Sequence, residues 1–220
     1  MRTRFQEGLD ELKDKLLRMG GLAERSVEQA IAAYRQHDAK FCEDVFQTEH
    51  AINVAEREID ELALDLLAMQ QPMASDLRFI LAVIKINGDL ERVGDQAVNI
   101  VQRVLDELES PVGEMPADIP RMGTLAAGMI REALEAFIHA DADLAQRVLL
   151  RDNDVDRMKR EVELAMVRQM QRAPEYIQPA LDTLLIARNL ERMADHATNI
   201  AEDVIFWVRG FDIRHHAAEE

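Results

Sequence analysis

Apolar residues recur along most of this chain with the period of an α-helix. Between residues 5 and 36 they return every three or four positions, which places them on one face of a helix with about 3.6 residues per turn. No segment shows the regular alternation of apolar and polar residues that is typical of a half-buried strand. The predicted helices cover residues 5–36, a segment between Asp38 and Pro72, and residues 75–109, 122–139, 141–172 and 175–209. The pattern therefore predicts an all-α protein.

The second half of the chain repeats the first. Residues 81–104 match residues 181–204 without a gap at an offset of 100, and the earlier helices match at an offset of 103. The offset changes near Pro72 and Pro174, where a turn between two helices accommodates the additional residues. Each half therefore contains three predicted helices that are related to those of the other half by duplication.

A proline-rich stretch separates the two halves. Pro111, Pro116 and Pro120 lie there together with Gly113. The halves on either side are each long enough for a three-helix bundle with its own apolar face. We therefore expect two tandem three-helix bundles, with the first over residues 1–110, a linker over 111–120 and the second over 121–220.

The most similar part of the repeat is polar rather than apolar. Glu91, Asp95 and Asn99 lie at successive turns of the third predicted helix, within about 80° of one another on a helical wheel and on the flank of the apolar face. The sixth predicted helix repeats this stripe as Glu191, Asp195 and Asn199. Oxygen-bearing side chains at this spacing suit hard cations, which prefer several oxygen ligands.

A second polar stripe lies beside the apolar face of the second predicted helix. It consists of Glu49, Asn53, Glu56 and Asp60, and its counterparts in the second half are Asp152, Asp156, Lys159 and Glu163. If the second and third helices of each bundle are neighbours, the two stripes meet and form one metal site per half. Lys159 counts against the second site because an ammonium group repels a cation. The candidate metal ligands are Glu56, Asp60, Glu91, Asp95 and Asn99 in the first half, and Asp152, Asp156, Glu163, Glu191, Asp195 and Asn199 in the second.

An acidic contact surface is the alternative interpretation of the same stripes. The chain contains 42 Asp and Glu residues, so isolated pairs of acids four residues apart are expected by chance. On an exposed helix such a pair costs only about 0.2–0.5 kcal/mol, and a solvated face carries it without a metal. His196 adjoins Asp195, but the helical wheel turns it toward solvent. The residue pattern alone leaves both interpretations open.

Charge and missing motifs narrow the classes of function. A net charge of −16 repels nucleic acid and anionic membranes, and no apolar run is long enough to span a bilayer. No signal peptide is visible, and Cys42, the single cysteine, has no partner for an internal disulfide, which favours a reducing cytoplasm. The usual nucleotide-loop, zinc-protease, nucleophile-elbow and di-iron motifs are missing. We therefore expect a cytoplasmic protein that is not an enzyme, binds no nucleic acid and does not insert into the membrane.

Several motifs make the chain similar to a known family. The segment Gln70–Arg78, together with Leu90–Asp95 and its second copy Leu190–Asp195, closely resembles the PhoU family of phosphate-uptake regulators, and the resemblance covers nearly the whole chain. It implies a negative regulator of phosphate uptake and of the phosphate-starvation response. The implied partners are the ATPase of the phosphate-specific ABC transporter and a phosphate-sensing histidine kinase. The implied assembly is a homodimer.

The resemblance also bears on the acidic stripes. Some family members carry iron or zinc clusters on Glu/Asp-x-x-x-Asp motifs, so iron or zinc is the expected cofactor. The ligands that the resemblance implies are Glu91 with Asp95, Glu191 with Asp195, and Glu56 with Asp60 across from the first pair. Asn53 and Lys159 depart from the family's acidic pattern. A metal-binding or metal-storage bundle without a role in phosphate signalling is the alternative function.

Overall fold

The described part of the chain is helical almost throughout. The computed structural model describes residues 4–70, 72–108 and 118–211, and no strand occurs among them. The helices are α1 (Arg4–Gln36), α2 (Ala39–Gln70), α3 (Ala74–Leu108), α4 (Asp118–His139), α5 (Ala142–Arg172) and α6 (Ile177–Arg209), with a 3-10 helix at Pro174–Tyr176 before α6. The predicted all-α fold class is confirmed. None of these helices combines the length and the apolar character that a bilayer crossing requires.

The turns that join the helices also repeat in the two halves. His37 and Ala140 follow α1 and α4 at equivalent positions, and both have left-handed backbone, with φ of 49° and 51°. Each precedes an aspartate, Asp38 or Asp141, whose carboxylate accepts hydrogen bonds of 2.8–3.0 Å from backbone N–H groups at the start of the next helix. The duplication therefore extends from the helices to the turn chemistry.

Each half forms a three-helix bundle, and the two bundles share one core. The helices α1 to α3 contact one another, as do α4 to α6. In addition α3 packs against α6 and α1 against α4, so apolar residues of both halves join one buried cluster. Phe79, Phe137 and Trp207 meet at this inter-bundle interface with ring centroids 5.2–5.8 Å apart. The predicted pair of bundles is confirmed, and the bundles pack side by side.

Glycine allows α1 and α4 to approach closely across the inter-bundle interface. A Cβ atom added at Gly20 of α1 would lie 2.5 Å from Cδ1 of Leu134 in α4. Gly123 of α4 faces the side chain of Ile31 in α1 in the same way. The close contact of these helices explains why small residues occupy their facing positions.

The predicted linker ends earlier than the sequence indicates. The helix α4 begins at Asp118, so Pro120 lies in its first turn. A proline is tolerated there because the N–H groups of the first turn have no carbonyl partner within the helix. Residues 109–117, which include Pro111 and Pro116, lie outside the described residues, so the exact division between the bundles stays a prediction.

Candidate functional site

The polar stripes of α2 and α3 meet along the groove between these two helices. Asn87 of α3 donates hydrogen bonds to α2, one to the carbonyl oxygen of Glu56 at 3.0 Å and one to Asp60 Oδ1 at 2.9 Å. This contact fixes the register of α3 against α2. Glu91, one turn further along α3, is therefore close enough to Glu56 and Glu49 to be affected by their negative charges. We name Glu49, Asn53, Glu56, Glu91 and Asp95 the first cluster.

Like charges face one another in the first cluster. Partial burial, followed by the charges of Asp95, Glu56 and Glu49, raises the pKa of Glu91, and Arg92 offsets part of this effect. A carboxylate in such surroundings is stabilised by a proton or by a nearby cation. The first cluster is therefore a place where positive charge is favoured.

One oxygen atom of the first cluster lacks a hydrogen-bond partner. Asn53 Nδ2 donates to Glu49 Oε1 at 2.5 Å, while Asn53 Oδ1 is buried and receives no hydrogen bond from the described residues. Buried polar oxygens normally have a hydrogen-bond partner, and a bound cation can take the place of that partner. Carboxylate and amide oxygens are also the donors that hard cations take. The donor chemistry of the first cluster therefore fits a cation.

Two of the predicted ligands lie at the margin of the first cluster. Asp60 is held by Asn87, one turn away from Glu91. Asn99 is exposed, one turn beyond Asp95. Both residues lie on the predicted stripes. The charges that raise the pKa of Glu91, however, are those of Asp95, Glu56 and Glu49, and Asp60 is not among them.

The equivalent groove between α5 and α6 contains a second cluster, which we define as Asp152, Asp156, Lys159, Glu191 and Asp195. Lys159 Nζ donates to Glu191 Oε1 at 2.9 Å, and the two side chains are only 24% and 21% exposed. An ammonium group therefore occupies the position at which the first cluster has the carboxylate of Glu56. Glu163 is exposed at the margin of this cluster. The second cluster, as it stands, does not fit a metal ion.

Negative charge also accumulates in the second cluster. Loss of hydration around the carboxyl group, together with the charges of Glu191 and Asp152, raises the pKa of Asp195 to about 6, although His196 opposes this. Burial, with Asp156 and Glu191 nearby, raises the pKa of Asp152. One carboxyl oxygen of Asp152 is buried without a hydrogen bond from the described residues. Lys159 therefore neutralises only part of the cluster.

Asn199, which the sequence placed on the stripe of α6, and His196, which it turned toward solvent, both contact the other bundle. His196 Nδ1 lies 2.8 Å from Asp89 Oδ1 of α3, and Asn199 Nδ2 donates to the same oxygen at 3.1 Å. The side chain of His196 is only 15% exposed, so the prediction that it faces solvent is wrong. The reason is that α3 covers this side of α6, which a helical wheel of a single bundle cannot reveal.

Sequence reasoning also missed an ion pair between a buried aspartate and an exposed lysine at the inter-bundle interface. The carboxylate of Asp203 is 3% exposed and lies 3.1 Å from Lys85 Nζ. Asp203 of α6 and Lys85 of α3 belong to different halves of the chain, so no local pattern joins them. An acidic residue next to buried apolar residues in α6 is the one signal that would have marked Asp203.

Neither cluster is preassembled around a metal ion. Across residues 4–70, 72–108 and 118–211, no three His, Cys, Asp or Glu side chains converge closely enough to hold one. In the first cluster the donor types nevertheless suit a hard cation. In the second cluster Glu191, the counterpart of Glu91, is already paired with Lys159. Metal binding by the predicted ligands stays a prediction.

Comparisons with known proteins give the family. The model of the PhoU domain matches the chain twice, over residues 16–104 and 119–204. The phosphate-specific transport system accessory protein PhoU homolog of Pseudomonas putida is 40% identical over 214 residues, which cover 96% of this chain and 83% of that protein. The crystal structure of PhoU from Pseudomonas aeruginosa has a TM-score of 0.91 at 38% identity and covers 94% of this chain and 100% of that chain. The crystal structure of the phosphate transport system regulatory protein PhoU from Streptococcus pneumoniae has a TM-score of 0.88 at 29% identity, covering 94% and 98%. This chain therefore belongs to the PhoU family.

Proposed function

We propose that this chain is a negative regulator of phosphate uptake and of the phosphate-starvation response. In this proposal it contacts the ATPase of a phosphate-specific ABC transporter and a phosphate-sensing histidine kinase on the cytoplasmic side of the membrane, as a homodimer. The observation that supports it most is the double match to the PhoU domain, which spans both bundles. Its relatives are named accessory proteins of the phosphate-specific transport system. An accessory protein of this kind works by stabilising one state of the protein that it contacts.

The charge of the chain supports partners with basic surfaces. A net charge of −16 speeds encounter with a basic patch, and the effect weakens as salt screens it. The two grooves concentrate carboxylates that are partly shielded from solvent. The grooves are therefore the surfaces that we expect basic partner residues to contact.

We also propose that the first cluster holds a metal ion, with iron or zinc as the candidates. Glu56, Glu91 and Asp95 would supply carboxylate oxygens, and Asn53 Oδ1 would supply an amide oxygen. A bound cation would neutralise the like charges that raise the pKa of Glu91 and would join α2 to α3. A metal-storage bundle without a role in phosphate signalling is the competing function. The gene deletion described next separates the two functions.

The regulatory proposal is tested by deleting the gene in the organism that encodes this chain. In phosphate-rich medium the deletion strain should express alkaline phosphatase and take up phosphate without restraint, because the negative regulator is missing. The wild-type gene should restore repression. Repressed phosphatase and normal uptake in the deletion strain would contradict the proposal and favour metal storage.

A charge-reversed gene tests whether the first cluster forms the contact. Glu91→Lys with Asp95→Lys should restore repression only in part. The matched control is Glu61→Lys with Asp65→Lys, because these exposed acids of α2 are also four residues apart and lie outside the cluster. Equal restoration by the two double variants would place the partner contact elsewhere on the chain.

A further inference from the structure

The two clusters differ at three of their five equivalent positions, and one of these exchanges reverses a charge. Glu56 on α2 corresponds to Lys159 on α5, while Glu91 and Glu191 are identical in the two copies. The reversed charge is paired, since Lys159 Nζ lies 2.9 Å from Glu191 Oε1. It also lies under the influence of Glu163 and Asp156. The ammonium group is therefore near carboxylates on both α5 and α6.

We propose that Lys159 is a built-in cation that joins α5 to α6 in place of a metal ion, so that the wild-type second cluster binds no divalent metal. The chain would then bind metal only in its first bundle, although duplication has given it two similar grooves. This inference deepens the proposed function. Only its statement that the first bundle binds metal rests on that proposed function.

Burial distinguishes this ion pair from an ordinary surface pair. The side chains of Lys159 and Glu191 are 24% and 21% exposed, whereas those of Lys15 and Glu58, also an interhelical pair, are 27% and 55% exposed. Charges that are shielded from solvent on both sides are screened less by water and salt. The charges of Lys159 and Glu191 are therefore screened less than those of Lys15 and Glu58, mainly because Glu191 is less exposed than Glu58.

A divalent ion would have to displace this ammonium group in order to reach Glu191. After displacement the ammonium would stay on the neighbouring turn of α5, where it repels the incoming ion. Asp152, Asp156 and Asp195 lie outside the ion pair, and, like the carboxylates of the first cluster, they do not converge within the described chain into a set that could hold a metal. Lys159 thus removes one ligand and adds one repulsive charge.

The test counts Mn²⁺ ions bound to the full-length protein, using the electron paramagnetic resonance signal of free Mn²⁺. When Lys159 is present, the double substitution Asp152→Asn with Asp195→Asn should leave the number of bound Mn²⁺ ions unchanged. Lys159→Glu should add at least one bound Mn²⁺ per chain, because it restores the acidic residue that the first cluster has. Lys40→Glu is the matched control, since it makes the same charge change at an exposed position outside both clusters.

Three outcomes decide the proposal, and circular dichroism first establishes that each variant is folded. A gain of Mn²⁺ by Lys159→Glu, but not by Lys40→Glu, supports it, and adding Asp195→Asn to Lys159→Glu should abolish that gain. No gain by Lys159→Glu overturns it. Loss of Mn²⁺ from the wild type on Asp152→Asn with Asp195→Asn also overturns it. Failure of the first cluster to bind metal would leave the gain by Lys159→Glu unaffected, so the two proposals fail separately.

Discussion

Replacing Asp195 by asparagine should stabilise the folded chain at neutral pH. Loss of hydration, with Glu191 and Asp152 nearby, raises the pKa of Asp195 from its ordinary value of 3.8 to about 6. A carboxyl group whose pKa is higher in the folded than in the unfolded chain binds more protons when folded, so stability falls as pH rises between these two values. Asparagine stays neutral at every pH and therefore avoids this loss.

The magnitude follows from the two pKa values and from the exposure of the residue. A tenfold change in an acidity constant is worth about 1.4 kcal/mol, so the rise from 3.8 to about 6 corresponds to about 3 kcal/mol for a buried group. Although its carboxyl group loses part of its hydration, Asp195 as a whole residue is exposed, so solvent screening reduces this figure and we expect about 1 kcal/mol. In a chain of this length, that gain raises Tm by about 2–4 °C.

Urea denaturation followed by circular dichroism, in EDTA and between pH 4 and 8, measures this effect. The advantage of Asp195→Asn over the wild type should be full near pH 7.5, shrink below pH 6 and vanish near pH 4. Asp154→Asn is the control, because Asp154 pairs with Arg157 on the same helix and lies outside the cluster. It should change stability by less than about 0.5 kcal/mol. A destabilised Asp195→Asn, or a gain that is equal at pH 4 and pH 8, would refute the electrostatic reasoning.

Two further predictions concern the first cluster and the packing of α1. Glu91→Gln with Asp95→Asn should lower the iron or zinc content of protein purified without chelator, as measured by elemental analysis; unchanged content would leave the cluster as a contact surface. Gly21→Ala should raise the free energy of unfolding by about 1 kcal/mol, since no atom lies within 4 Å of the added Cβ. Gly20→Ala should lack this gain because the methyl group forces Leu134 to move, and equal gains in denaturation would contradict the close approach of α1 and α4.

The helices and the duplication were predictable because they depend on local patterns. Apolar periodicity marks one face of each helix whatever that face packs against, so six helices could be placed before any contact was known. The turn at Asp38 and its copy at Asp141 carry the same capping chemistry, which is also a local property. The start of α4 was placed too late because Pro120 was taken as part of a linker, although the first turn of a helix accepts proline.

The contacts between the bundles could not be predicted from the same patterns. The helical wheel of α6 contains one apolar face, but the helix is covered on a second side by α3. His196 and Asn199 therefore pack toward Asp89 although the wheel turns His196 toward solvent, and Asp203 is buried beside Lys85. These contacts join residues more than 100 positions apart, and their pairing depends on how the two bundles dock.

Lys159 shows what a duplicated sequence can reveal and what requires the structure. Alignment of the two halves identifies the exchange of Glu56 for Lys159, but a lysine at this position has enough flexibility to extend into solvent. The structure shows that its ammonium group instead contacts Glu191 of the other stripe, which is identical to its counterpart Glu91. Because the two grooves share their backbone arrangement, a difference in charge is the simplest way for partners or ions to distinguish them. The exchange of Glu56 for Lys159, together with that of Asn53 for Asp156, therefore gives the two grooves different charge patterns without a change of fold.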